Sequence, residues 1–219
     1  MTDTSDTAAP GGQFITFEGG EGTGKSTQIG HLASRLRAMG LPVTQTREPG
    51  GSAFAERIRA LILDRSVAPQ SPMAQALAFY AARADHLDVT IRPALASGAW
   101  VLCDRFADST RAYQGAAGGT DPGLITALES YILEDIRPDL TLVFDLPADV
   151  GLARAHVRAG AEMRFESKGM AFHERLREGF LAIANAEPGR CVVIDAADDM
   201  DGVERAVWDA VTGRLAAHG

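Results

Sequence analysis

The sequence predicts an α/β protein of three layers, in which a five-stranded parallel sheet lies between two layers of helices. Short apolar runs with strand-forming residues alternate with segments of helical periodicity from residue 13 onwards. The strand-like runs are apolar throughout, which is typical of parallel strands buried on both faces. The length of 219 residues and the hydrophobic content of 46% suit a single domain over residues 13–219, preceded by a polar, disordered lead over residues 1–12.

The first half of the chain carries three of the predicted strands, over residues 13–18, 42–46 and 100–103. Helical spacing predicts helices over residues 25–39, 52–64 and 71–97. Gly40 and Pro42 end the first of these helices, and Pro93 predicts a bend in the third. The apolar faces are predicted to consist of Ile29, Leu32, Leu36 and Met39 in the first helix, and of Phe54, Ile58, Leu61 and Ile62 in the second.

The second half begins with residues 111–120, which are rich in Gly and Ala and are predicted to form a loop. Asp121 and Pro122 then predict the start of a helix, as its cap and its first residue. Further strands are predicted over residues 140–144 and 191–194, and further helices over residues 148–157, 172–185 and 202–216. Residues 158–169 are polar and contain glycine, so we expect them to form a mobile lid loop.

Charge and composition exclude several classes of function. The formal net charge is −8, and non-specific nucleic-acid binding requires a basic surface, so we expect no nucleic-acid partner. No apolar run is long enough to span a membrane, and the N-terminal residues lack the basic and apolar regions of a signal peptide. We therefore expect a cytoplasmic protein without a membrane partner. Cys103 and Cys191 each lie in an apolar run and are expected to be small buried residues.

A phosphate-binding motif follows the first predicted strand and opens the first predicted helix. It matches the pattern G-x-x-x-x-G-K-[ST] in full, with the residues Gly19, Gly20, Glu21, Gly22, Thr23, Gly24, Lys25 and Ser26. Glycines let backbone amides turn toward a polyphosphate, and the helix N-terminus adds positive potential. Lys25 is expected to reach the outer phosphates and the Ser26 hydroxyl to contact Mg²⁺. The motif predicts that the chain binds a nucleoside triphosphate.

A second magnesium ligand is expected from an acidic residue at the end of another strand. Asp104 follows the apolar run AWVLC, and Asp145 follows TLVF. Asp104 has the better chemistry because Arg105 places a fixed cation beside it. Asp145 is the alternative, and it is also placed to cap the turn into the next helix.

The remaining motifs narrow the class of nucleotide-binding protein. A guanine-reading Asn-Lys-x-Asp segment is absent from the sequence, which argues against a GTPase. Helicases and motors are usually larger and more basic. These observations favour a small kinase, in which the loop holds one nucleotide and arginines hold a second substrate.

The segments FEGGEGTGKSTQ, TREPGG, FYAARADH, DRFADSTRAYQG and DLPADVGLARA occur in that order and are followed by an RFES loop. Over residues 14–195 the sequence therefore resembles the bacterial thymidylate kinases, which are P-loop nucleoside monophosphate kinases. The resemblance implies the nucleoside monophosphate kinase fold. It also implies Mg²⁺- and ATP-dependent phosphoryl transfer to dTMP, giving dTDP and ADP for dTTP synthesis, and a homodimer.

The resemblance also implies roles for individual acceptor-site residues. It assigns the acceptor phosphate to Arg47 and Arg105, base stacking to Phe79, and a contact to the base or phosphate region to Arg83. It assigns discrimination of the sugar to Tyr113, positions near the base to Ser109 and Gln114, and a position near the 3′-hydroxyl or the metal to Glu21. Without the resemblance, core packing would be the favoured explanation of Phe79. The alternative for Arg83 is a solvated surface charge, and for STRAYQG a capped loop containing a packing Tyr.

The resemblance places catalytic arginines at and beside the lid loop, where Arg158 and Arg164 would close over the transferring phosphoryl group. Thr27 and Arg154 complete the expected ATP-binding set. Met163 precedes Arg164, where the resemblance leads us to expect an acidic residue. A phosphate monoester needs no general base, so His86 and His173 are interpreted as surface or packing residues.

Two other functions stay open at this stage. Another small-molecule P-loop kinase would share the phosphate loop and differ in the acceptor segments. A nucleotide-binding regulator would transfer nothing and would need no acceptor arginines. If the chain forms a dimer, the long helix over residues 71–97 is the expected interface, although core packing would explain its Ala and Leu content equally well.

Overall fold

The computed structural model describes residues 11–64, 66–157 and 168–216. Its centre is an all-parallel sheet of five strands in the order β2-β3-β1-β4-β5. The strands are β1 (Phe14–Gly19), β2 (Val43–Arg47), β3 (Trp100–Asp104), β4 (Leu140–Asp145) and β5 (Cys191–Asp195). The predicted five-stranded parallel sheet is therefore confirmed.

Helices connect these strands and cover both faces of the sheet. Within the described ranges they are α1 (Lys25–Ala38), α2 (Ala53–Leu63), α3 (Pro72–His86), α4 (Arg92–Ala96), α5 (Ala107–Thr110), α6 (Pro122–Leu133), α7 (Ala148–Val157), α8 (Met170–Ala186) and α9 (Met200–Ala216). Two π-helical segments, Leu87–Ile91 and Arg111–Ala116, continue α3 and α5. No helix in the described part of the chain combines the length and the apolar character that a membrane span requires.

The core forms on both faces of the sheet. Ile29, Leu32 and Leu36 of α1 pack with apolar residues of α9 against one face. On the other face, apolar residues of α8 pack against Val143 and Cys191. A third cluster joins Val101 and Cys103 of β3 to the end of the long α3 helix. This burial on both faces explains why the strands are apolar throughout.

Part of the predicted apolar faces is wrong. Met39 follows the end of α1 and is 57% exposed, while Phe54 and Leu61 of α2 are 47% and 53% exposed. The reason is that α2 packs chiefly against α3 and buries Ala55 and Ile62. An apolar helical stripe predicts a covered face, but here the described residues cover Ile62 and leave Phe54 and Leu61 half exposed.

The loop predicted over residues 111–120 is also wrong for its first half, because Arg111–Ala116 is helical. The small residues there serve close packing and do not mark a loop. Ala112 is fully buried, and a Cβ added to Gly179 of α8 would lie 2.8 Å from the Ala116 Cβ. Two helical segments can approach this closely only where both carry small side chains.

The long helix predicted over residues 71–97 is continuous from α3 through the π-helical segment Leu87–Ile91 to α4, and the bend expected near Pro93 stays a prediction. In this segment the Arg92 N–H donates to the Leu87 carbonyl, five residues back. Pro93 follows directly and has no N–H to donate, so it disrupts the regular helical ladder at this point.

Candidate active site

The candidate site lies at the edge of the sheet where the parallel strands end. The phosphate-binding loop connects β1 to α1, and Arg47 and Asp104 lie side by side at the ends of β2 and β3. Gly22 has a φ of +69°, and a Cβ there would lie 2.0 Å from the Gly151 carbonyl oxygen. The loop therefore requires glycine at this position, both for its backbone conformation and for its contact with α7.

Lys25 is buried inside the loop. Its ammonium donates to the carbonyl oxygens of Gly20 at 2.7 Å and Gly19 at 3.2 Å, and to the Thr23 hydroxyl at 3.1 Å. Burial first, and the nearby charge of Arg105 second, lower the pKa of Lys25 to about 8, while surrounding carboxylates oppose the shift. The loop thus holds a cation where the motif predicts the outer phosphates.

Ser26 and Asp104, the two residues predicted to contact magnesium, contact each other. The Ser26 hydroxyl donates to Asp104 Oδ2 at 2.7 Å. The alternative ligand Asp145 instead forms a two-bond ion pair with Arg177, at 2.6 and 2.8 Å. No group of three or more His, Cys, Asp or Glu side chains suited to a metal occurs in the described ranges. One hydroxyl and one carboxylate still fit Mg²⁺, because this ion usually keeps water and substrate phosphates as its other ligands.

A cleft opens beside the phosphate loop. It brings together all of the predicted acceptor residues except Arg47, namely Glu21, Phe79, Arg83, Arg105, Ser109, Tyr113 and Gln114. These side chains come from the phosphate loop, from α3 and from the helical segment after β3. Glu48, Pro49, Arg59, Leu63, Phe106 and Thr110 also line the cleft, and sequence reasoning did not predict them.

Arg105 lies between the phosphate loop and the cleft. Its backbone has a φ of +69°, which is uncommon outside glycine. Its guanidinium donates to the Gly19 carbonyl at 2.9 Å, the Ser109 hydroxyl at 3.3 Å and Glu21 Oε1 at 3.1 Å. Burial would lower the pKa of Arg105, but Tyr113, Glu21 and nearby acids outweigh it and raise the pKa. The Arg105 side chain is therefore a fixed cation where the phosphate loop meets the cleft.

Glu21 links Arg105 to Tyr113. The Tyr113 hydroxyl donates to Glu21 Oε1 at 2.5 Å, and the Arg105 guanidinium lies 5.0 Å from the Tyr113 ring centroid. Burial would raise the pKa of Glu21, but the positive charges of Arg105 and Lys25 lower it overall. Glu21 therefore carries its negative charge at neutral pH, and it fixes the Tyr113 hydroxyl at the wall of the cleft.

Phe79 and Arg83 occupy one side of the cleft, as their four-residue spacing predicts. Arg83 is only 2% exposed, so its interpretation as a solvated charge is wrong. Its Nε donates to Glu48 at 2.7 Å, and its Nη2 donates to the Phe106 carbonyl and the Thr110 hydroxyl, both at 3.1 Å. Phe79 is half-buried and lines the cleft, so it is not a core residue.

Ser109 and Gln114 are held by partners within the protein. The Ser109 hydroxyl donates to Glu18 Oε2 at 2.6 Å, and Gln114 donates to Gln75 Oε1 at 3.2 Å. Glu18 also accepts from the backbone N–H groups of Phe106 and Ser109. Burial first, and the charge of Asp108 second, raise the pKa of Glu18 to about 7. The strand-end Glu18 thus anchors the helical segment that carries the acceptor residues.

Arg47 is not brought to the cleft. It is half-exposed and donates to both carboxylate oxygens of Glu56 at 3.1 Å. It is the last residue of β2, whereas the sequence predicted a position just after that strand. Its role in binding the acceptor phosphate stays a prediction.

The ATP-side residues are described only in part. Thr27 is exposed in the first turn of α1. Arg154 is exposed on α7 and donates to the Ala196 carbonyl after β5, at 3.0 Å. Arg158, Met163 and Arg164, with most of the predicted lid loop, lie outside the described residues. The predictions for these three residues and for the lid stay predictions.

His86 was interpreted as a surface or packing residue, and the surface alternative is wrong. Its ring is fully buried, and both nitrogens have hydrogen-bonding partners, Thr46 and Glu48. The signal that could have found it is its position three residues after Arg83, on the same helical face as the predicted base-binding side chains. His173 is buried and packs edge-on against Phe172, which agrees with a packing role.

The chain is similar to known proteins of one family. Residues 17–207 match the family model described as thymidylate kinase. The thymidylate kinase of Caulobacter vibrioides is 60% identical over 204 residues, covering 93% of this chain and 98% of that protein. That of Bradyrhizobium diazoefficiens is 53% identical over 206 residues, covering 93% and 90%. A crystal structure of thymidylate kinase from Ehrlichia chaffeensis superposes with a TM-score of 0.74 at 35% identity, covering 92% of this chain and 99% of that one.

Proposed function

The chain belongs to the thymidylate kinase family and is a dTMP kinase of dTTP biosynthesis, and from that premise we propose how its residues hold and join the two substrates. ATP binds at the phosphate loop, and dTMP binds in the adjoining cleft. The observation that carries this assignment is Arg105, which contacts both the phosphate loop at Gly19 and the cleft at Ser109 and Glu21. A cation at this junction suits the phosphoryl group that passes between the two nucleotides.

In this proposal the protein accelerates the reaction by positioning the two substrates and by neutralising negative charge. Phosphoryl transfer spreads negative charge over the transferred group, and preorganised cations stabilise that charge. Lys25 approaches from the ATP side and Arg105 from the acceptor side. The acceptor is a phosphate monoester with a second pKa of about 6, so at neutral pH it is mostly a dianion and attacks without a general base.

Mg²⁺ is part of the proposal, held by the Ser26 hydroxyl and the Asp104 carboxylate, which lie 2.7 Å apart. When bound, the ion would neutralise charge on the ATP phosphates. Asp145 is less suited because Arg177 occupies both of its carboxylate oxygens. We propose no role for Asp145 in metal binding.

Recognition of dTMP is proposed to follow from the walls of the cleft. Phe79 stacks on the base and Arg83 donates to its edge. Tyr113, fixed by Glu21, lies against the sugar where a 2′-hydroxyl would clash. Ser109 and Gln114 complete the wall of the cleft, and Arg47 contributes to the acceptor phosphate only if its pair with Glu56 opens.

Arg158 and Arg164 are proposed as lid arginines that add positive charge to the transferring group, and Arg154 as an ATP-binding residue. The support for Arg154 is its contact with Ala196, the residue that follows β5 at the same edge of the sheet. The support for Arg158 and Arg164 is their place in the sequence, immediately after α7.

We further propose a cytoplasmic homodimer that pairs through α2 and α3. Four large apolar side chains are about half exposed on these two helices, namely Phe54, Leu61, Met73 and Leu77. The pairs are seven residues apart on α2 and four apart on α3, so each pair lies on one face of its helix. Exposed apolar faces on adjacent helices are typical of an interface.

The test is ADP release from Mg-ATP against a panel of dTMP, dUMP, UMP, CMP, AMP, GMP and no acceptor. We expect a strong and preferential response to dTMP, abolished in Lys25→Ala and lowered by orders of magnitude in Arg105→Ala. Near-normal turnover in either variant would contradict the assignment of that residue. A preference for another monophosphate would leave the phosphate loop and Arg105 in place and discard the roles of Phe79, Tyr113 and Gln114.

A further inference from the structure

A buried carboxylate, Glu48, lies beside Arg83, whose side chain lines the cleft. Glu48 follows β2 directly, and its side chain is 5% exposed. Its Oε2 accepts from Arg83 Nε at 2.7 Å, and its Oε1 accepts from His86 Nδ1 at 3.0 Å. Each oxygen therefore has its own donor, and both donors come from α3.

His86 extends this network to the sheet. Its Nε2 lies 2.7 Å from the Thr46 hydroxyl of β2. A carboxylate only accepts, so His86 Nδ1 donates to Glu48, and Nε2 shares the second hydrogen bond with the Thr46 hydroxyl. The orientation of the ring is fixed at both ends, and the ring in turn fixes Glu48.

The turn after Glu48 closes over this network. Gly51 has a φ of +83°, and a Cβ there would lie 2.3 Å from His86 Nε2 and 2.4 Å from the Thr46 hydroxyl oxygen. The Gly51 carbonyl accepts from the Thr90 hydroxyl at 2.6 Å. Only glycine allows the backbone to lie this close to the ring, so the turn shields the contact between His86 and Thr46.

These contacts leave one nitrogen of the Arg83 guanidinium without a partner among the described residues. Its Nε is bound to Glu48 and its Nη2 to Phe106 and Thr110. Its Nη1 is buried and has no hydrogen-bonding partner among the described residues, while the side chain lines the cleft. A buried donor without a partner is costly, so this N–H group is suited to an acceptor atom of the bound ligand.

We infer that Glu48, held by His86 and Thr46, is a positioning residue that orients the free Nη1 of Arg83 toward the bound base. This inference rests on the proposed binding of dTMP in the cleft. An N–H donor held in one place favours a base that presents a carbonyl oxygen to it. A base that presents an exocyclic amine there is disfavoured, because two donors would then face each other. Thymine carries a carbonyl at C4 where cytosine carries an amine. The network therefore contributes to the choice of base.

Two substitutions of His86 separate positioning from packing. The side-chain nitrogen of Asn can replace Nδ1 and keep the bond to Glu48, whereas Gln reaches toward the Nε2 position and keeps the contact with Thr46. Both remove a similar part of the ring, so both should lower the melting temperature to a similar extent. We measure kcat and KM for dTMP, dCMP and ATP in the wild-type protein, His86→Asn and His86→Gln.

We expect the two variants to differ in their kinetics with the acceptor nucleotide and not in their KM for ATP. In His86→Gln the KM for dTMP should rise about tenfold, corresponding to the loss of one hydrogen bond to a charged group, with the KM for ATP unchanged. The ratio of kcat/KM for dTMP over dCMP should fall in His86→Gln and be kept in His86→Asn. Equal KM values for dTMP in the two variants, or a rise in the KM for ATP to match that for dTMP, would overturn the inference.

Glu48→Gln is the second variant, and it keeps the shape of the side chain. The amide oxygen of Gln can accept a hydrogen bond from Arg83 or from His86. The amide nitrogen, which is itself a donor, then faces the other of these two donors. We expect the same loss of base selectivity as in His86→Gln, and unchanged selectivity would overturn the inference. If the wild-type protein does not phosphorylate dTMP, the proposed function itself fails. If the wild-type protein is active and the variants keep its base selectivity, only the inference about Glu48 fails.

Discussion

At the scale of single residues, the site is a set of charges held away from water by partners in the protein. Lys25, Arg105 and Arg83 are each less than one-fifth exposed, and each donates to at least two protein acceptors. Charges held in this way need little rearrangement when charge develops on a substrate. The price of that order is the desolvation of each group, which the neighbouring carboxylates and carbonyls offset.

Tyr113 provides a test of sugar selection at this scale. Its hydroxyl is bound to Glu21 at 2.5 Å, so the ring cannot swing aside to make room for a 2′-hydroxyl. We expect Tyr113→Ala to relax discrimination against the ribose analogue of dTMP, measured as the ratio of the two kcat/KM values. Tyr131→Ala, which removes a side chain that is 80% exposed on α6, is the matched control and should keep the ratio. An unaltered ratio in Tyr113→Ala would remove this residue from sugar selection.

Glu18 predicts a pH dependence of stability. Burial and the charge of Asp108 raise its pKa from 4.5 to about 7 in the folded protein, against hydrogen bonds from Ser109 and Phe106 and the charge of Arg105. Between these two values the folded state holds a proton that the unfolded state has lost. Stability from this group is therefore fully present below pH 4.5 and is lost as the pH rises through 7.

Glu18→Gln removes the titrating carboxyl group, so the free energy of unfolding should depend less on pH in this variant. We expect the free energy of unfolding, from urea melts at about pH 5 and about pH 7.5, to fall more steeply in the wild-type protein than in the variant. The difference should amount to a few kcal/mol, since one unit of pKa shift corresponds to about 1.4 kcal/mol. Parallel pH profiles for the two proteins would contradict the raised pKa.

At the scale of elements, the sequence predicts the strands well because buried parallel strands have few alternatives. The phosphate loop was equally predictable, because its glycines and Lys25 form one contiguous pattern with a known mechanism. The helical segment after β3 was not predictable, since Ala and Gly indicate a loop in isolation and become packing residues only beside Gly179 of α8. Glu48 and His86 were missed because their roles depend on a contact across 38 residues.

Gly179 provides a test of that close packing. A Cβ at this position would lie 2.8 Å from the Ala116 Cβ, so Gly179→Ala should push α8 away from the segment Arg111–Ala116, which carries Tyr113 and Gln114. We expect a loss of about 1–3 kcal/mol in stability and a raised KM for dTMP. The control is Gly213→Ala, at a helical glycine of α9 with no atom within 4 Å of the added Cβ, which should be neutral or stabilising by up to about 1 kcal/mol. Equal effects of the two substitutions would show that the helices can separate without strain.

At the scale of the whole molecule, the net charge is −8, yet several basic residues lie together at the edge of the sheet where the parallel strands end. The parallel strands make this concentration possible, since the residues that follow each strand all meet at that edge. Arg47, Arg105 and Lys25 come from separate parts of the chain and gather there through the strand order alone. The helices α2 and α3 contribute Arg59, Phe79 and Arg83 to the cleft and still leave apolar side chains exposed that can serve assembly.

The exposed apolar faces of α2 and α3 predict that assembly. Phe54 of α2 is 47% exposed and Leu77 of α3 is also 47% exposed, and the two helices pack against each other. If a second copy covers these faces, a charge placed there must be desolvated on association, so Leu77→Glu should convert a dimer to a monomer in light scattering coupled to size-exclusion chromatography. Met39→Glu places the same charge on a side chain that is 57% exposed after α1 and should leave the mass unchanged. A monomeric wild-type protein would contradict the dimer, while a dimer that survives Leu77→Glu would move the interface away from this face of α3.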